Sequence, residues 1–159
     1  MGYILSKCYK FDKEYNNDLL QPLNIELNNK IDNLEEKIIT KYSVPLEEMP
    51  RNLSDCDILI SHFNFHGAWP HNCSIKHLEY MSIGKPVVAS NVGEVNFAIE
   101  HNVNWFLVDE GNEEEFAMSI IKLIDNPDLR EKFGKNGREK ILANHTWDKH
   151  VEKSLNQII

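Results

Sequence analysis

Three short apolar runs, DILIS at Asp57–Ser61, PVVAS at Pro86–Ser90 and NWFLVD at Asn104–Asp109, are separated by stretches of helical character. Each run is too short for a core helix and lacks the polar alternation of a strand with one wet face, so each reads as a strand buried on both faces. Strands of that kind, joined through helices, require β-α-β crossovers. The fold class that follows is α/β, a parallel sheet with helices on both faces. In such sheets ligands bind beyond the carboxyl ends of the strands, where loops run into helix N-termini. The loop from His62 to Cys73 and the turn from Asn91 to Glu94 both occupy that edge.

The intervening segments supply the helices. Leu46, Met49, Leu53 and Cys56 recur at helical spacing before the first strand. Ser74 is suited to cap a helix that ends near Ile83, where Gly84 gives a left-handed turn and Pro86 forbids continuation. A short helix is expected after Gly93, ending near His101. Asn112 caps NEEEFAMSIIKLIDN, whose acidic first turn suits the positive helix end and whose Phe116, Ile120, Leu123 and Ile124 form an apolar stripe. Pro127 opens a further helix to about Asn144, and Thr146 caps the last. Residues 1–43 form a poorly defined N-terminal segment, rich in Asn, Lys, Asp and Glu. It has an apolar patch at Tyr3, Ile4 and Leu5 and one expected surface helix, Ile25 to Ile39. Residues 44–159 are the expected domain.

The 159 residues carry a net charge of -8, which argues against a general nucleic-acid partner. No apolar run reaches the roughly 18 residues of a membrane helix, and the N-terminus lacks the apolar core of a signal peptide, so no transmembrane segment is expected. Cytoplasmic residence follows as the default, with peripheral attachment at a membrane as its variant. Cys8, Cys56 and Cys73 are odd in number and widely spaced, which reads as buried thiols rather than a disulfide framework.

The chemistry concentrates at His71, Asn72, Cys73, Ser74 and Ile75, which lead into the helix bearing Glu79. The first N–H groups of a helix lack internal partners, and with the helix dipole they make an anion site fit for a diphosphate. A carboxylate one turn inside that end can accept from both hydroxyls of a ribose. It can equally pair with Lys76 at i,i+3 on a solvated face; spacing leaves both readings of Glu79 open. His62, His66, His71 and Cys73 have spacings a zinc site could use, but they share one loop with no second thiolate pair, so no metal is assigned. Phe63, Phe65 and Trp69 either stack a base or sugar or cover the end of the sheet. Gly134, Gly137 and Arg138 fall in a helical segment with no preceding strand and read as a structural turn, not a phosphate loop. The run Glu113 to Glu115 reads as a solvated helix start.

From Val44 to Ile159 the chain resembles the second half of the C-terminal, nucleotide-sugar-binding domain of group 1 retaining glycosyltransferases of GT-B architecture. The resemblance is carried in order by MPRNLSDCDILIS, IKHLEYMSIGKPVVASNVGE, AIEHNVNWFLVD, EEEFAMSIIKLIDNPDLREKFGKNGR and Thr146-Trp147-Asp148. It implies a Rossmann-like sheet, incomplete relative to the full domain. In that family a Glu-x7-Glu motif spans the loop and the next helix. The second glutamate matches Glu79, implied to hold the ribose hydroxyls, and the first falls on His71, a departure affecting the sugar contact. Backbone groups of Asn72, Cys73, Ser74 and Ile75 are implied to face the donor phosphates and sugar. The family's paired glycines fall on Gly93 and Glu94, its Pro-Glu pair on Asn96 and Phe97, and a glycine before the third strand on Trp105. Lys7, Lys10 and Lys13 match no part of the family's basic clamp.

The resemblance implies a hexosyltransferase-type enzyme that moves a sugar from a nucleotide-diphosphate sugar to a glycan, lipid or small-molecule acceptor with retention. No tightly bound cofactor is implied, and no protein nucleophile, because the phosphate leaving group and domain closure position the acceptor. The stretch before Val44 is too short for an acceptor-binding domain, so a separate N-terminal partner is expected. The rival reading is a non-catalytic remnant that binds a nucleotide sugar or acts as an interaction module.

Overall fold

The computed structural model describes residues 4–6, 45–62, 75–93 and 95–158. The expected helix from Ile25 to Ile39, Cys8, and the loop residues Phe63, Phe65, His66, Trp69, His71, Asn72, Cys73 and Ser74 lie outside the described residues, as does Glu94.

The sheet contains β1 (Ile4–Ser6), β2 (Ile58–Ser61), β3 (Val87–Ser90) and β4 (Phe106–Val108), all parallel and in sequential order β1-β2-β3-β4. The three apolar runs thus became neighbouring strands, as expected for a sheet covered on both faces. β1 adds a fourth strand that includes Ile4 and Leu5 of the apolar patch, with Ile4 opposite Ile58. The helices are α1 (Met49–Ser54), entered through a 3-10 turn at Leu46–Glu48, α2 (Ile75–Ile83), α3 (Glu113–Asp125), α4 (Pro127–Asn144) and α5 (Trp147–Ile158).

Strand alternation divides the core in two. Ile60, Val88 and Phe106 stand in register and face α3, where Phe116, Ala117, Ile120 and Leu123 meet them. Leu59, Val87, Ala89 and Leu107 face the opposite way, toward Leu53 and Cys56 beside α1, Tyr80 and Met81 of α2, and Trp105. Three consecutive strands placed side by side in one direction put their connections on one face, so the second face is closed by the helix that follows β4. α3 does this, packing against β2, β3 and β4. α4 contributes to both layers, with Phe133 on the α3 side and Ile141 on the α2 side.

The caps expected at Asn112 and Thr146 are formed. Asn112 Oδ1 accepts from the Glu115 N–H at 3.2 Å while Asn112 Nδ2 donates to Glu115 Oε2 at 2.7 Å, and Thr146 Oγ1 accepts from the Lys149 N–H at 3.3 Å. Gly84 ends α2 with φ of 74°, the left-handed region that a side chain resists.

Two local expectations are corrected. The helix expected to end near His101 is a single 3-10 turn, Val95–Phe97. The chain after it is organised by buried Asn104, whose Oδ1 accepts from the Glu100 N–H at 2.9 Å and whose Nδ2 donates to Ala98 O at 3.3 Å. Such side-chain bonds to nearby backbone compete with helix continuation. Gly134, Gly137 and Arg138 do not form a turn; they lie within α4. There Gly134 meets the Gly84 backbone so closely that a Cβ would stand 2.0 Å from Gly84 O, while Arg138 Nη1 donates to Ser82 O at the end of α2. Gly134 thus permits the close approach between α4 and the α2 terminus.

Candidate functional site

The carboxyl edge of the sheet is built from Ser61 and His62 at the end of β2, Ser90 and Asn91 at the end of β3, and Val108 and Asp109 at the end of β4. The loops on β3 and β4 are tied together. The Asn91 N–H donates to Val108 O at 2.7 Å, and Asn91 Nδ2 donates to Asp109 Oδ1 at 3.1 Å. The Asn112 N–H donates to Asp109 O at 3.1 Å, which carries the tie into the start of α3. Gly93, in the turn beyond Asn91, has φ of 67°, the left-handed backbone that glycine adopts without steric cost.

Of the candidate ligand and metal residues, the described ones are His62, Ile75, Glu79 and Gly93. Ile75 opens α2 and is 68% exposed, an apolar side chain left facing outward beside the edge. Glu79 lies one turn further into α2 and is half-buried, on the flank of the helix and not among the residues it turns inward, His77, Tyr80 and Met81. Of the four zinc candidates only His62 is described. Its ring stands edge-on to Phe116 with centroids 4.9 Å apart, and its buried Nδ1 has no hydrogen-bond partner among the described residues. Burial lowers the His62 pKa, opposed by the Glu113 charge. Among the described residues no group of three or more His, Cys, Asp or Glu is arranged to hold a metal ion. Likewise, no described helix is long and apolar enough to cross a membrane.

The pair Ser61 and His77 was not singled out from the sequence. Ser61 Oγ and His77 Nε2 are 2.8 Å apart, both buried, joining the last residue of β2 to the first turn of α2. Trp105 stands edge-on to the imidazole, with centroids 5.3 Å apart and an interplanar angle of 87°. Burial, with a smaller contribution from Lys76, lowers the His77 pKa to about 3, so the ring is neutral at ordinary pH. A signal for it existed: His77 precedes Tyr80 and Met81 by three and four residues, the spacing of one helix face.

Chemically, the edge offers the opening turn of a nine-residue helix, a carboxylate one turn inside it, and asparagine-tied loops on the neighbouring strands. Such an arrangement suits an anionic ligand with hydroxyl groups.

The profile of the family "Glycosyl transferases group 1" matches residues 23–140, about three quarters of the chain. A poly(ribitol-phosphate) alpha-N-acetylglucosaminyltransferase of Staphylococcus aureus is 29% identical over 127 residues, 78% of this chain and 24% of that protein. An uncharacterized glycosyltransferase of Methanocaldococcus jannaschii is 34% identical over 76 residues, 48% of this chain and 19% of its own length. Among solved structures, TarM superposes on 98% of the chain with a TM-score of 0.75 and 22% identity, the match covering 34% of TarM. HepE of Anabaena in complex with UDP-glucose superposes on 80% of the chain with a TM-score of 0.60 and 25% identity, covering 32% of HepE. The chain therefore spans about a quarter or less of these curated relatives and about a third of these structures.

Proposed function

Because the chain belongs to the group 1 glycosyl transferase family, we propose that it is the donor-binding part of a glycosyltransferase that moves a sugar from a nucleotide-diphosphate sugar to an acceptor with retention of configuration. The observation that carries the reading is the position of Glu79, one turn inside a helix that begins at the carboxyl edge of a parallel sheet. On this reading Glu79 accepts hydrogen bonds from the ribose hydroxyls. The backbone of Asn72, Cys73, Ser74 and Ile75 receives the diphosphate, the turn at Gly93 and Glu94 borders it, and His71 stands beside the donor sugar. Residues 44–159 carry the residues of this site, and Ile4–Ser6 of the N-terminal segment adds a strand to the same sheet.

A uridine diphosphate donor is the first choice. HepE was solved with UDP and with UDP-glucose, and Staphylococcus aureus TarM with UDP. A GDP-mannose-dependent mannosyltransferase of Mycobacterium tuberculosis, 27% identical over 107 residues, makes guanosine the second. About two thirds of the length of TarM and of HepE has no counterpart in these 159 residues. The acceptor is accordingly held by another unit, and this chain binds donor better than it turns it over.

Calorimetric titration of the chain with UDP, GDP and ADP tests the reading. UDP is expected to bind, and Glu79→Ala to weaken it roughly tenfold or more, the loss of a charge-assisted contact. Nucleotide binding that Glu79→Ala leaves unchanged removes the ribose assignment. The second reading, a binding unit without transfer activity, is favoured by His71 where the family carries its first glutamate. UDP affinity with no sugar release from UDP-sugars, even when an acceptor-binding unit is supplied, selects it.

A further inference from the structure

Ser61 and His77 are each 3% exposed, yet both are polar and lie in the layer where Leu59, Ala89, Tyr80 and Met81 pack. Two aliphatic side chains would fill that space without desolvating an imidazole and a hydroxyl. What the polar pair supplies is direction. Apolar contacts allow a helix to slide or rotate by a fraction of a turn, whereas a 2.8 Å hydrogen bond between fixed partners does not. Both partners are fixed. Ser61 is locked by the β2 ladder, opposite Ala89. The His77 ring is held edge-on by Trp105, itself fully buried and stacked obliquely near Tyr80. The bond also joins the two ends of the connection from β2 to α2, sixteen residues apart in sequence.

We infer that His77, acting through Ser61, is a positioning residue that fixes the first turn of α2 against the carboxyl end of β2 and thereby sets where that helix meets the nucleotide. The inference rests on the donor-binding reading above. Neither side chain is required to touch the ligand. Their bond fixes the rotation of α2, and with it the direction of the first helical N–H groups and of Glu79, two residues beyond His77. A carboxylate that must meet two hydroxyls at once tolerates little rotation, so loss of the bond acts on affinity as well as on stability.

The test is a double-mutant cycle on UDP affinity, measured by calorimetry on the full chain at a temperature well below each variant's melting point. Ser61→Ala and His77→Leu are each expected to weaken UDP binding roughly five- to tenfold, and the double variant no further than the weaker single. His77→Gln places an amide near the position of Nε2 and is expected to restore affinity to within about twofold of wild type, which a merely space-filling role would not produce. Ser61→Ala removes one atom, so the comparison survives even where His77→Leu fails to fold. Variants that melt earlier but bind UDP as wild type does overturn the inference, as do single effects that multiply in the double variant. A wild-type chain that binds neither UDP, GDP nor ADP overturns the donor-binding reading itself. Wild-type binding with unaltered variants overturns only the role of His77.

Discussion

Gly134 and Gly137 lie three residues apart in α4, and replacing each by alanine is expected to move stability in opposite directions. In a helix interior alanine is favoured over glycine by about 1 kcal/mol, so each substitution begins with that gain. At Gly137 the new methyl would meet Met81 Cγ at 3.7 Å and Trp105 Nε1 at 3.8 Å, ordinary contact distances. Gly137→Ala should therefore be neutral or stabilising by up to about 1 kcal/mol. At Gly134 the methyl would lie 2.0 Å from Gly84 O and 2.8 Å from Gly84 C. These are backbone atoms of a turn held by the left-handed Gly84 and by its N–H bond to Met81 O at 3.0 Å, so no side chain can swing aside. Relief requires α4 to move away from α2 by more than about 1 Å, which loosens Ile141 and Met81 on that layer. Overpacking of this kind typically costs about 1–3 kcal/mol and more where backbone meets backbone, so a net loss of roughly 2 kcal/mol remains after the helix gain. For a chain of this size that lowers the melting temperature by about 4–8 °C. Urea unfolding followed by circular dichroism, with thermal melts alongside, measures both. A Gly134→Ala protein as stable as wild type, or a Gly137→Ala protein equally damaged, would refute the packing argument.

Three other outcomes are expected. Asn112→Ala removes the acceptor for the Glu115 N–H at the start of α3 and should cost about 1 kcal/mol in urea unfolding; Asn112→Asp, which keeps the acceptor, should cost much less. His77 gives stability a definite pH dependence. Its folded pKa is lowered to about 3 from 6.5, so between those values the unfolded chain binds more protons and stability falls as the pH drops. His77→Gln does not titrate, so the stability difference between wild type and this variant should shift against wild type by about 2 kcal/mol from pH 6.5 to pH 5, while parallel curves would show that His77 is not buried neutral. Trp105→Ala should leave a large cavity between α2 and α4 and destabilise by roughly 3–5 kcal/mol, with Trp105→Phe recovering most of the loss; an exposed or readily quenched Trp105 fluorescence would contradict its burial.

The strands β2, β3 and β4 were legible because runs such as ILIS and VVAS carry their burial in composition: every residue of the three is buried. Caps at Asn112 and Thr146 and the stop at Gly84 were legible because each is a local interaction within a few residues. What escaped was set by distance. β1 is three residues long and its pairing with Ile58 lies across half a hundred residues of chain, so no window could show it. The reason for Gly134 in its helix was hidden because that reason, the Gly84 carbonyl, is on another helix end. Ser61 and His77 each looked ordinary, since neither residue signals a site until the helix face that carries His77 is turned onto β2. Glu79 was legible as a candidate because the helix start and the carboxylate are close in sequence, whereas the direction of its side chain depends on how α2 is held.

The sequential strand order has a further consequence for how the chain reaches its fold. Each strand from β2 to β4 pairs with the strand just before it, so during synthesis a newly made strand finds its partner already in place. α3 then covers the sheet face that growing strands leave open. α4 comes last of the elements that join both layers, and its contact with the Gly84 turn is made only after everything it clamps is present. Docking of α4 is thus the step that converts a ribbon of nearest-neighbour pairings into a cooperative unit, and a chain stopped before Pro127 would emerge with its strands paired but its two layers unlocked.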